Sequence, residues 1–200
     1  MPKIVDKKEK RAEILEAAIR VFAKNGLKNT TIADIAEAVD IGKGTMYQYF
    51  ESKDQLFAAT FLYFMDQVEA AIGKRIFRIQ DPLEKLYAYF SAWGEILETE
   101  YLDYIEIVLD FWAEGIRNKQ LPAEFDVKKM YADYRDMLDS LLQKCIEKGE
   151  IRPTDTTIIA STLLGCMDGL VIQWVLEPDI FNLKEAFELT VDSVLQGLKT

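Results

Sequence analysis

Apolar side chains recur at helical spacing along nearly the whole chain, and no convincing β-strand alternation interrupts them. The first helix ends at Asn25-Gly26, and its apolar face comprises Ile14, Leu15, Ala18, Val21 and Phe22. Thr31 opens a second helix of about two turns, and a third short helix runs from about Lys43 to Phe50. Longer helices are predicted over residues 53–72, 82–98, 101–118, 124–148, 155–176 and 182–198. The pattern therefore predicts an all-α fold of about nine helices.

Local capping signals support several of these helix starts. Thr31 and Asp34 approximate a capping box, in which each side chain accepts a hydrogen bond from the backbone amide of the other residue. Ser52 is a suitable N-cap for the helix that begins at Lys53. Pro82 suits the first turn of the helix that follows it.

Residues 31–50, TIADIAEAVDIGKGTMYQYF, place two short helices on either side of a turn around residues 40–42. This is the helix-turn-helix arrangement, in which the second helix enters the major groove of DNA. By spacing alone, however, an ordinary helical bundle accommodates two such short helices equally well.

The two faces of the third helix differ in chemistry. At about 100° per residue, Met46 and Phe50 share one face and are predicted to point inward, whereas Gly44, Thr45 and Gln48 point away from them. Gln48 can pair with the N6/N7 edge of adenine, and Thr45 can offer its hydroxyl to a base or its methyl group to thymine. This helix could therefore approach a groove closely with its polar face.

Further candidate DNA contacts flank this face. Tyrosine hydroxyls and lysine ammonium groups suit phosphate oxygens, and the free amides at a helix N-terminus, where Thr31 lies, favour a phosphate. The candidate DNA-binding residues are Thr31, Gly42, Lys43, Gly44, Thr45, Tyr47, Gln48, Tyr49 and Lys53.

The segment TTIADIAEAVDIGKGTMYQYFESKDQLF resembles the DNA-binding segment of the TetR (tetracycline-repressor-like) family of transcriptional regulators. The preceding helix, EILEAAIRVFAKNGLKNTT, extends the resemblance, which covers about residues 10–60. The positions that follow the family pattern are Thr30-Thr31, Ile35-Ala36, Lys43-Gly44-Thr45, Tyr47, Tyr49-Phe50, Ser52-Lys53 and Leu56. Asp40 departs from it, because the family usually has glycine there. If the turn requires a positive φ, aspartate tolerates it better than most residues but with slight strain.

The resemblance implies a three-helix DNA-binding head, residues 1–52, and a larger helical body for effector binding and dimerisation, residues 53–200. It implies a cytoplasmic homodimer that represses transcription from a palindromic operator. A small, largely apolar molecule in the body would shift the fourth helix and release the DNA. Two alternatives remain open: a regulator of the same fold that answers to a protein partner or to no ligand, and an activator.

Charge and composition narrow the function classes. Residues 1–57 carry 10 lysines and arginines against 9 acidic residues, whereas residues 58–200 carry 14 against 25. A near-neutral head on an acidic body can still present one face to DNA. Histidine is absent and there are two cysteines, which excludes histidine-based catalysis and the common histidine or four-cysteine metal sites. No motif indicates an enzyme, and neither a cofactor nor a metal is expected.

The body is rich in aromatic residues, most of which, at helical spacing, are expected to be core. By the family resemblance, some of them line an enclosed, mostly apolar cavity bounded by the fourth helix and roofed by residues 89–93 and 111–112. The acidic body disfavours an anionic effector and tolerates a cation over an aromatic face. The candidate effector-binding residues are Phe64, Phe90, Trp93, Trp112, Tyr134 and Met167.

Residues 156–176 form a long apolar stretch interrupted only by Asp168. Inserting this aspartate near the centre of a bilayer would cost about 3 kcal/mol, so a helix buried at a subunit interface is preferred over a membrane span. Small residues every four positions would let a partner helix approach closely, although close packing within one subunit explains them as well. With the last helix they predict a four-helix dimer interface comprising Ser161, Gly165, Gly169, Phe187, Val191, Val194, Leu195 and Leu198.

Overall fold

The computed structural model describes residues 7–99, 105–117, 121–123 and 125–199, and these residues form nine helices. They are α1 (Lys7–Asn25), α2 (Ile32–Ala38), α3 (Lys43–Met46), α4 (Lys53–Ile76), α5 (Pro82–Thr99), α6 (Ile105–Arg117), α7 (Val127–Glu147), α8 (Thr156–Leu176) and α9 (Leu183–Gln196). The β pairing in the described part of the chain is one isolated bridge between Ile151 and Lys199. The predicted all-α fold class is therefore confirmed.

Several helix boundaries differ from the predicted ones, and the ends of α3 and α4 differ most, by four residues each. The α3 helix ends at Met46, and the chain continues to Phe50 as a turn in which Gln48 N donates to Thr45 O at 3.0 Å. The α4 helix instead continues to Ile76, beyond the predicted end at residue 72. Of the predicted 101–118 helix, residues 101–104 and 118 lie outside the described residues.

The predicted capping signals are confirmed. Thr31 and Asp34 form the reciprocal capping box of α2. Ser52 Oγ accepts a hydrogen bond from Gln55 N at 3.0 Å and caps α4. Gly26 adopts a φ of 74° after α1, in the left-handed region that glycine occupies without steric cost.

The chain forms two compact units, Met1–Gln67 with Asp103–Val127, and Val68–Leu102 with Lys128–Thr200. The first unit contains α1, α2, α3, α6 and the first part of α4. The predicted boundary between the DNA-binding head and the body, at residues 52 and 53, is a boundary between functions and not between these compact units. It stays a prediction.

Phenylalanine side chains form the core of the first unit. The Phe57 and Phe111 ring centroids lie 4.3 Å apart, and Phe61 and Phe125 lie 5.0 Å apart. Phe22 of α1 contacts Phe57 edge-on at 5.9 Å. Residues from α1, α4 and α6 thus share one apolar cluster, so α6 is part of the same core as the helices of the predicted DNA-binding head.

The second unit is built on the packing of α5 against α9. A Cβ atom at Gly94 would clash with the backbone of Lys184, so a residue without a side chain lets the two helices approach closely here. Tyr87 donates a hydrogen bond to Asp192 at 3.0 Å, and the Ser91 hydroxyl donates to Glu188 at 2.6 Å. These contacts fix which face of α9 turns inward.

Candidate functional site

The turn between α2 and α3 reverses the chain in few residues. Asp40 N donates to Glu37 O at 3.1 Å, and Ile41 N donates to Ala36 O at 3.0 Å. Asp40 has a φ of 51°, and it is the one described residue other than glycine with a positive φ. The turn therefore does require the left-handed conformation, which aspartate adopts more readily than most residues.

We expect Asp40→Val to lower the free energy of unfolding by about 1–2 kcal/mol, because a β-branched residue fits the left-handed region poorly. Asp40 is exposed, so the change removes no core packing. Urea unfolding measures the effect. Asp40→Gly is the control and should change the stability by less than about 1 kcal/mol. Equal losses in the two variants would contradict a backbone origin.

The two faces of α3 are oriented as predicted. Met46 is fully buried, as is Phe50 in the turn that follows. Gly44 and Gln48 are exposed, Thr45 is half-buried and Tyr47 is 46% exposed. Two large apolar anchors thus hold the segment in the core of the first unit while small and polar side chains face solvent. The role of that outer face in reading DNA stays a prediction.

Thr31 is already engaged within its own helix. Its amide donates to Asp34 Oδ2 at 2.7 Å, and its hydroxyl donates to the same oxygen at 2.9 Å. These two hydrogen bonds, the backbone one first, hold the pKa of Asp34 below its usual range. The amide of Thr31 is therefore not free to bind a phosphate, and the role of Thr31 in DNA binding stays a prediction.

The candidate residues that flank α3 differ in how freely they can reach a phosphate. Gly42 is the N-cap of α3 and is exposed, as is Lys43. Lys53 is half-buried, and its Nζ donates to Leu27 O at 2.6 Å. Lys53 therefore also ties the loop after α1 to the start of α4, and Lys43 is the freer of the two lysines to contact DNA.

Basic residues at the start of α1 lie beside the α3 segment and were not among the predicted contacts. Lys7 Nζ lies 5.9 Å from the Tyr49 ring centroid, and the Arg11 guanidinium lies 5.2 Å from that of Phe50. The basic run KKEKR at residues 7–11 was the available signal in the sequence. Only the fold shows that this run lies beside the third helix.

The candidate effector residues are divided between the two units. Phe64 and Trp112 belong to the first unit, and Phe90, Trp93, Tyr134 and Met167 belong to the second. Phe64 and Phe90 are fully buried core residues, and Met167 is 9% exposed. Trp93 and Tyr134 are in edge-to-face contact, with ring centroids 6.5 Å apart. The assignment of these residues to an effector site stays a prediction.

Two surface clefts lie within single units. A cleft of about 640 Å³ in the second unit runs along α5 and α9 and is lined by Ile79, Glu84, Tyr87, Ala88, Ser91, Glu185, Glu188, Leu189 and Asp192. A cleft of about 510 Å³ in the first unit is lined mainly by the loop after α1, the start of α4 and the last turns of α6. Neither of these two clefts includes a predicted effector residue.

The predicted dimer residues of α8 and α9 lie in different environments. Ser161 and Gly165 on α8 are exposed, and Gly169 is half-buried. Val194 on α9 is half-buried. The other predicted residues from the C-terminal segment are buried within the protomer, and these are Phe187, Val191, Leu195 and Leu198. Because α5 already covers that side of α9, these four side chains have almost no exposed surface in the protomer. Their role in a dimer interface stays a prediction.

One side of α8 is apolar and largely uncovered. Exposed or half-exposed residues recur at alternating spacings of four and three, namely Ile158, Thr162, Gly165, Gly169, Ile172 and Leu176. Among the described helices, α8 is the one with the length and mean hydropathy, 1.6, of a membrane span, and 28% of that apolar window is buried within the protomer. A large part of its apolar surface therefore faces solvent in the protomer.

Comparison with known proteins identifies the class. The family model of the bacterial regulatory proteins of the tetR family matches residues 14–60, and that of the BetI-type transcriptional repressor C-terminal region matches residues 84–198. The chain is 32% identical over 145 residues to the transcriptional repressor KstR2 of Mycolicibacterium smegmatis. The aligned region covers 72% of this chain and 68% of the relative.

Solved structures share the fold at lower identity. A transcriptional regulator from Pseudomonas aeruginosa PAO1 superposes with a TM-score of 0.80 at 21% identity, over 97% of this chain and 92% of that one. The regulator FadR from Bacillus subtilis, solved in complex with stearoyl-CoA, superposes with a TM-score of 0.75 at 22% identity. The match covers 93% of this chain and 98% of that one.

The helix-turn-helix and the family matches define a DNA-binding transcriptional regulator. The chain belongs to the TetR family of bacterial regulatory proteins, and its C-terminal region is of the BetI type.

Proposed function

We propose that this regulator is a cytoplasmic homodimeric repressor that leaves a palindromic operator when a small, largely apolar molecule binds its C-terminal body, residues 53–200. The DNA-binding part of this proposal rests on the outer face of α3 and of the turn that follows it. Gly44, Thr45 and Gln48 face solvent there, and the buried side chains of Met46 and Phe50 hold the segment in place. A small, polar surface on a firmly anchored helix suits close approach to base edges.

The apolar face of α8 supports a dimer. Two copies that pair along this face bury the Gly165 and Gly169 positions and the exposed side chains of Ile172 and Leu176. A two-fold axis places two identical DNA-binding heads on the DNA, and this symmetry accounts for a palindromic operator. The half-site centres should lie about 34 Å apart, or a multiple of it.

The continuous helix α4 provides a physical route for regulation. It begins at Lys53, beside the α3 segment, and its last residues belong to the second unit. A ligand that binds differently to two positions of this helix couples effector binding to DNA binding, typically by about 1–3 kcal/mol. The stearoyl-CoA complex of FadR supports a ligand-responsive regulator of this fold, although it does not identify the ligand of this chain.

The proposed function is tested in two steps. Duplexes that bind the purified protein are first selected from a random pool, and we expect an inverted repeat. Compounds are then screened for release of the selected duplex. Release by a small molecule supports the proposal, whereas release only by an added protein favours the partner-controlled alternative. Activation of a reporter by the bound protein favours an activator.

We expect Gln48→Ala and Thr45→Ala to relax base preference, at about 1–3 kcal/mol for each lost good contact. Lys43→Ala should instead weaken binding to all sequences alike and reduce the salt slope by about one unit. Fluorescence anisotropy with the selected duplex and with random duplex measures both effects over a range of salt concentrations.

The matched control for these variants is Lys74→Ala, which removes an exposed positive charge at the other end of α4. It should leave DNA affinity unchanged. If Gln48→Ala weakens specific and random DNA equally, the face assigned to base reading is not the one that reads bases.

A further inference from the structure

A hydrogen bond from α1 reaches the turn of the helix-turn-helix. Lys10 Nζ donates to the main-chain carbonyl of Val39, the C-cap residue of α2, at 3.3 Å. The Lys10 side chain is 17% exposed, and its ammonium group also pairs with the Glu13 carboxylate at 2.9 Å, one turn further along α1. The ammonium group is therefore held between its own helix and the end of α2.

The Val39 carbonyl is an acceptor that α2 itself leaves open. The last carbonyls of a helix have no intrahelical donor, and lysine side chains can supply one. In the described part of the chain, Lys10 Nζ is the hydrogen-bond donor to the Val39 carbonyl. Because Lys10 belongs to another helix, this bond ties α1 to the end of α2.

The turn between α2 and α3 has few other attachments. Asp40 N and Ile41 N donate to carbonyls of α2 and so stay within the helix-turn-helix. Among the described residues, the bond from Lys10 is the one hydrogen bond that joins residues 39–42 to a helix other than α2 and α3. It meets the chain directly before Asp40, whose φ of 51° reverses the chain toward α3. Lys10 therefore fixes the point from which the chain enters α3.

Further contacts from α1 meet the chain after α3. Lys7, Lys10 and Arg11 are spaced by three and four residues and therefore share one face of α1. The Arg11 guanidinium lies 5.2 Å from the ring centroid of the buried Phe50, and Lys7 Nζ lies 5.9 Å from that of Tyr49. This basic face of α1 thus contacts the segment that follows α3 as well as the turn that precedes it.

The orientation of α3 depends on such outside contacts. The helix is four residues long, Lys43–Met46, and Met46 is its buried residue. A single helical turn has little stability of its own, so what holds its two ends decides its direction. Hydrogen bonds to base edges weaken steeply as their angle departs from linear, whereas phosphate contacts carry no sequence information. A small rotation of α3 would therefore cost base reading before it cost general DNA affinity.

We propose that Lys10 is a positioning residue for DNA recognition. By binding the Val39 carbonyl from α1, it fixes the angle at which the outer face of α3, with Thr45 and Gln48, meets the bases. Lys10 makes no DNA contact in this role, because its ammonium group is already bound to Glu13 and to Val39. The inference rests on the proposed function in taking this face of α3 as the one that reads bases.

The test uses a double variant, Lys10→Met with Glu13→Gln, which keeps the net charge of the head. We expect it to weaken binding of the selected duplex by about tenfold, since a rotated α3 loses at least one good base contact. Binding of random duplex should weaken by less than about twofold, and the salt slope should stay unchanged. Lys10→Arg keeps a charged donor and should restore most of the selectivity. Fluorescence anisotropy over a range of salt concentrations measures all three quantities.

The matched control is Lys24→Met, which removes an exposed lysine from the last turn of the same helix. It should leave the ratio of affinities for selected and random duplex unchanged. If the double variant fails to fold by circular dichroism, Lys10→Gln replaces it, because this change keeps a polar end group while removing the ammonium group. Its selectivity should fall in the same way.

A readout without DNA addresses the position of α3 directly. Amide nuclear magnetic resonance spectra of the free protein should show shifted signals for residues 40–45 in the Lys10 variants. The same signals should keep their positions in Lys24→Met. Unshifted signals for residues 40–45 in every folded Lys10 variant overturn the inference.

The DNA measurements separate this inference from its rivals. Equal weakening of selected and random duplex, with the salt slope reduced by about one unit, would make Lys10 a phosphate contact and overturns the inference. Unchanged selectivity in every folded Lys10 variant also overturns it, and leaves the proposed function standing if Gln48→Ala relaxes base preference. Selectivity lost in the Lys10 variants but kept in Gln48→Ala supports the positioning role and contradicts the assigned reading residue.

Discussion

Gly165→Leu is expected to convert the proposed dimer to monomers at micromolar concentration and to weaken operator binding by about 100-fold or more. The loss in affinity follows from effective concentration, because two heads joined in one particle bind the second half-site intramolecularly. In the protomer, a Cβ atom at Gly165 or Gly169 meets no atom within 4 Å. A side chain that starts from this Cβ atom therefore points into open space on the protomer, where it would obstruct a helix of a second copy that approaches this face. Sedimentation velocity and anisotropy with the selected duplex measure the two effects.

The matched control is Gly73→Leu on α4, where an added Cβ atom likewise meets nothing within 4 Å. Both changes replace a helical glycine, which stabilises the helix by up to about 1 kcal/mol. Neither should unfold the protomer. A Gly165→Leu variant that stays dimeric and binds DNA normally would place the dimer interface elsewhere than on α8.

Phe111→Ala is expected to lower the free energy of unfolding by about 3–5 kcal/mol, the usual cost of truncating a buried phenylalanine. Phe111 is fully buried, and its ring centroid lies 4.3 Å from that of Phe57 and 4.7 Å from that of Phe61. Because α6 shares the core of the first unit, truncating Phe111 should also destabilise the DNA-binding head. Urea unfolding gives the free energy, and DNA binding at rising temperature gives the functional consequence.

Ile116→Ala on the same helix is the control. Ile116 is 76% exposed, so its truncation should change the stability by less than about 0.5 kcal/mol. A similar loss in the two variants would show that α6 responds to any shortening. A small loss in Phe111→Ala would mean that the phenylalanine cluster repacks around the vacated space.

The local structure of the DNA-binding head was predictable because the sequence signals for it are local. A capping box, a left-handed turn residue and two inward anchors each involve residues close together in sequence. Thr31, Asp40, Met46 and Phe50 accordingly have the conformation or burial that their spacing predicts. The polar partners of these residues were harder to predict. The hydrogen bond from Lys53 to Leu27 and the contact of Lys7 with Tyr49 join segments that are distant in sequence.

Which apolar faces of the C-terminal helices are covered was only partly predictable, for a different reason. Periodicity identifies an apolar face on a helix, but it does not say whether another helix of the same protomer or of a partner covers it. On α9, the face with Phe187 and Val191 packs within the protomer, while Leu189 is 68% exposed. On α8, the glycine face is the uncovered one.

The sequence by itself determined the all-α class, the caps and the apolar character of α8, because each depends on the order of neighbouring residues. It identified the helix-turn-helix through the resemblance of residues 10–60 to a known family, since spacing alone left an ordinary bundle equally possible. The tertiary structure alone decided which apolar faces are already covered, which lysine is free, and that α6 shares the core of the first unit. It also placed Tyr131 against Asp168, and Tyr134 against both Glu69 and Trp93. Such convergence depends on how four helices pack, and helix packing is set by the shapes of many side chains together.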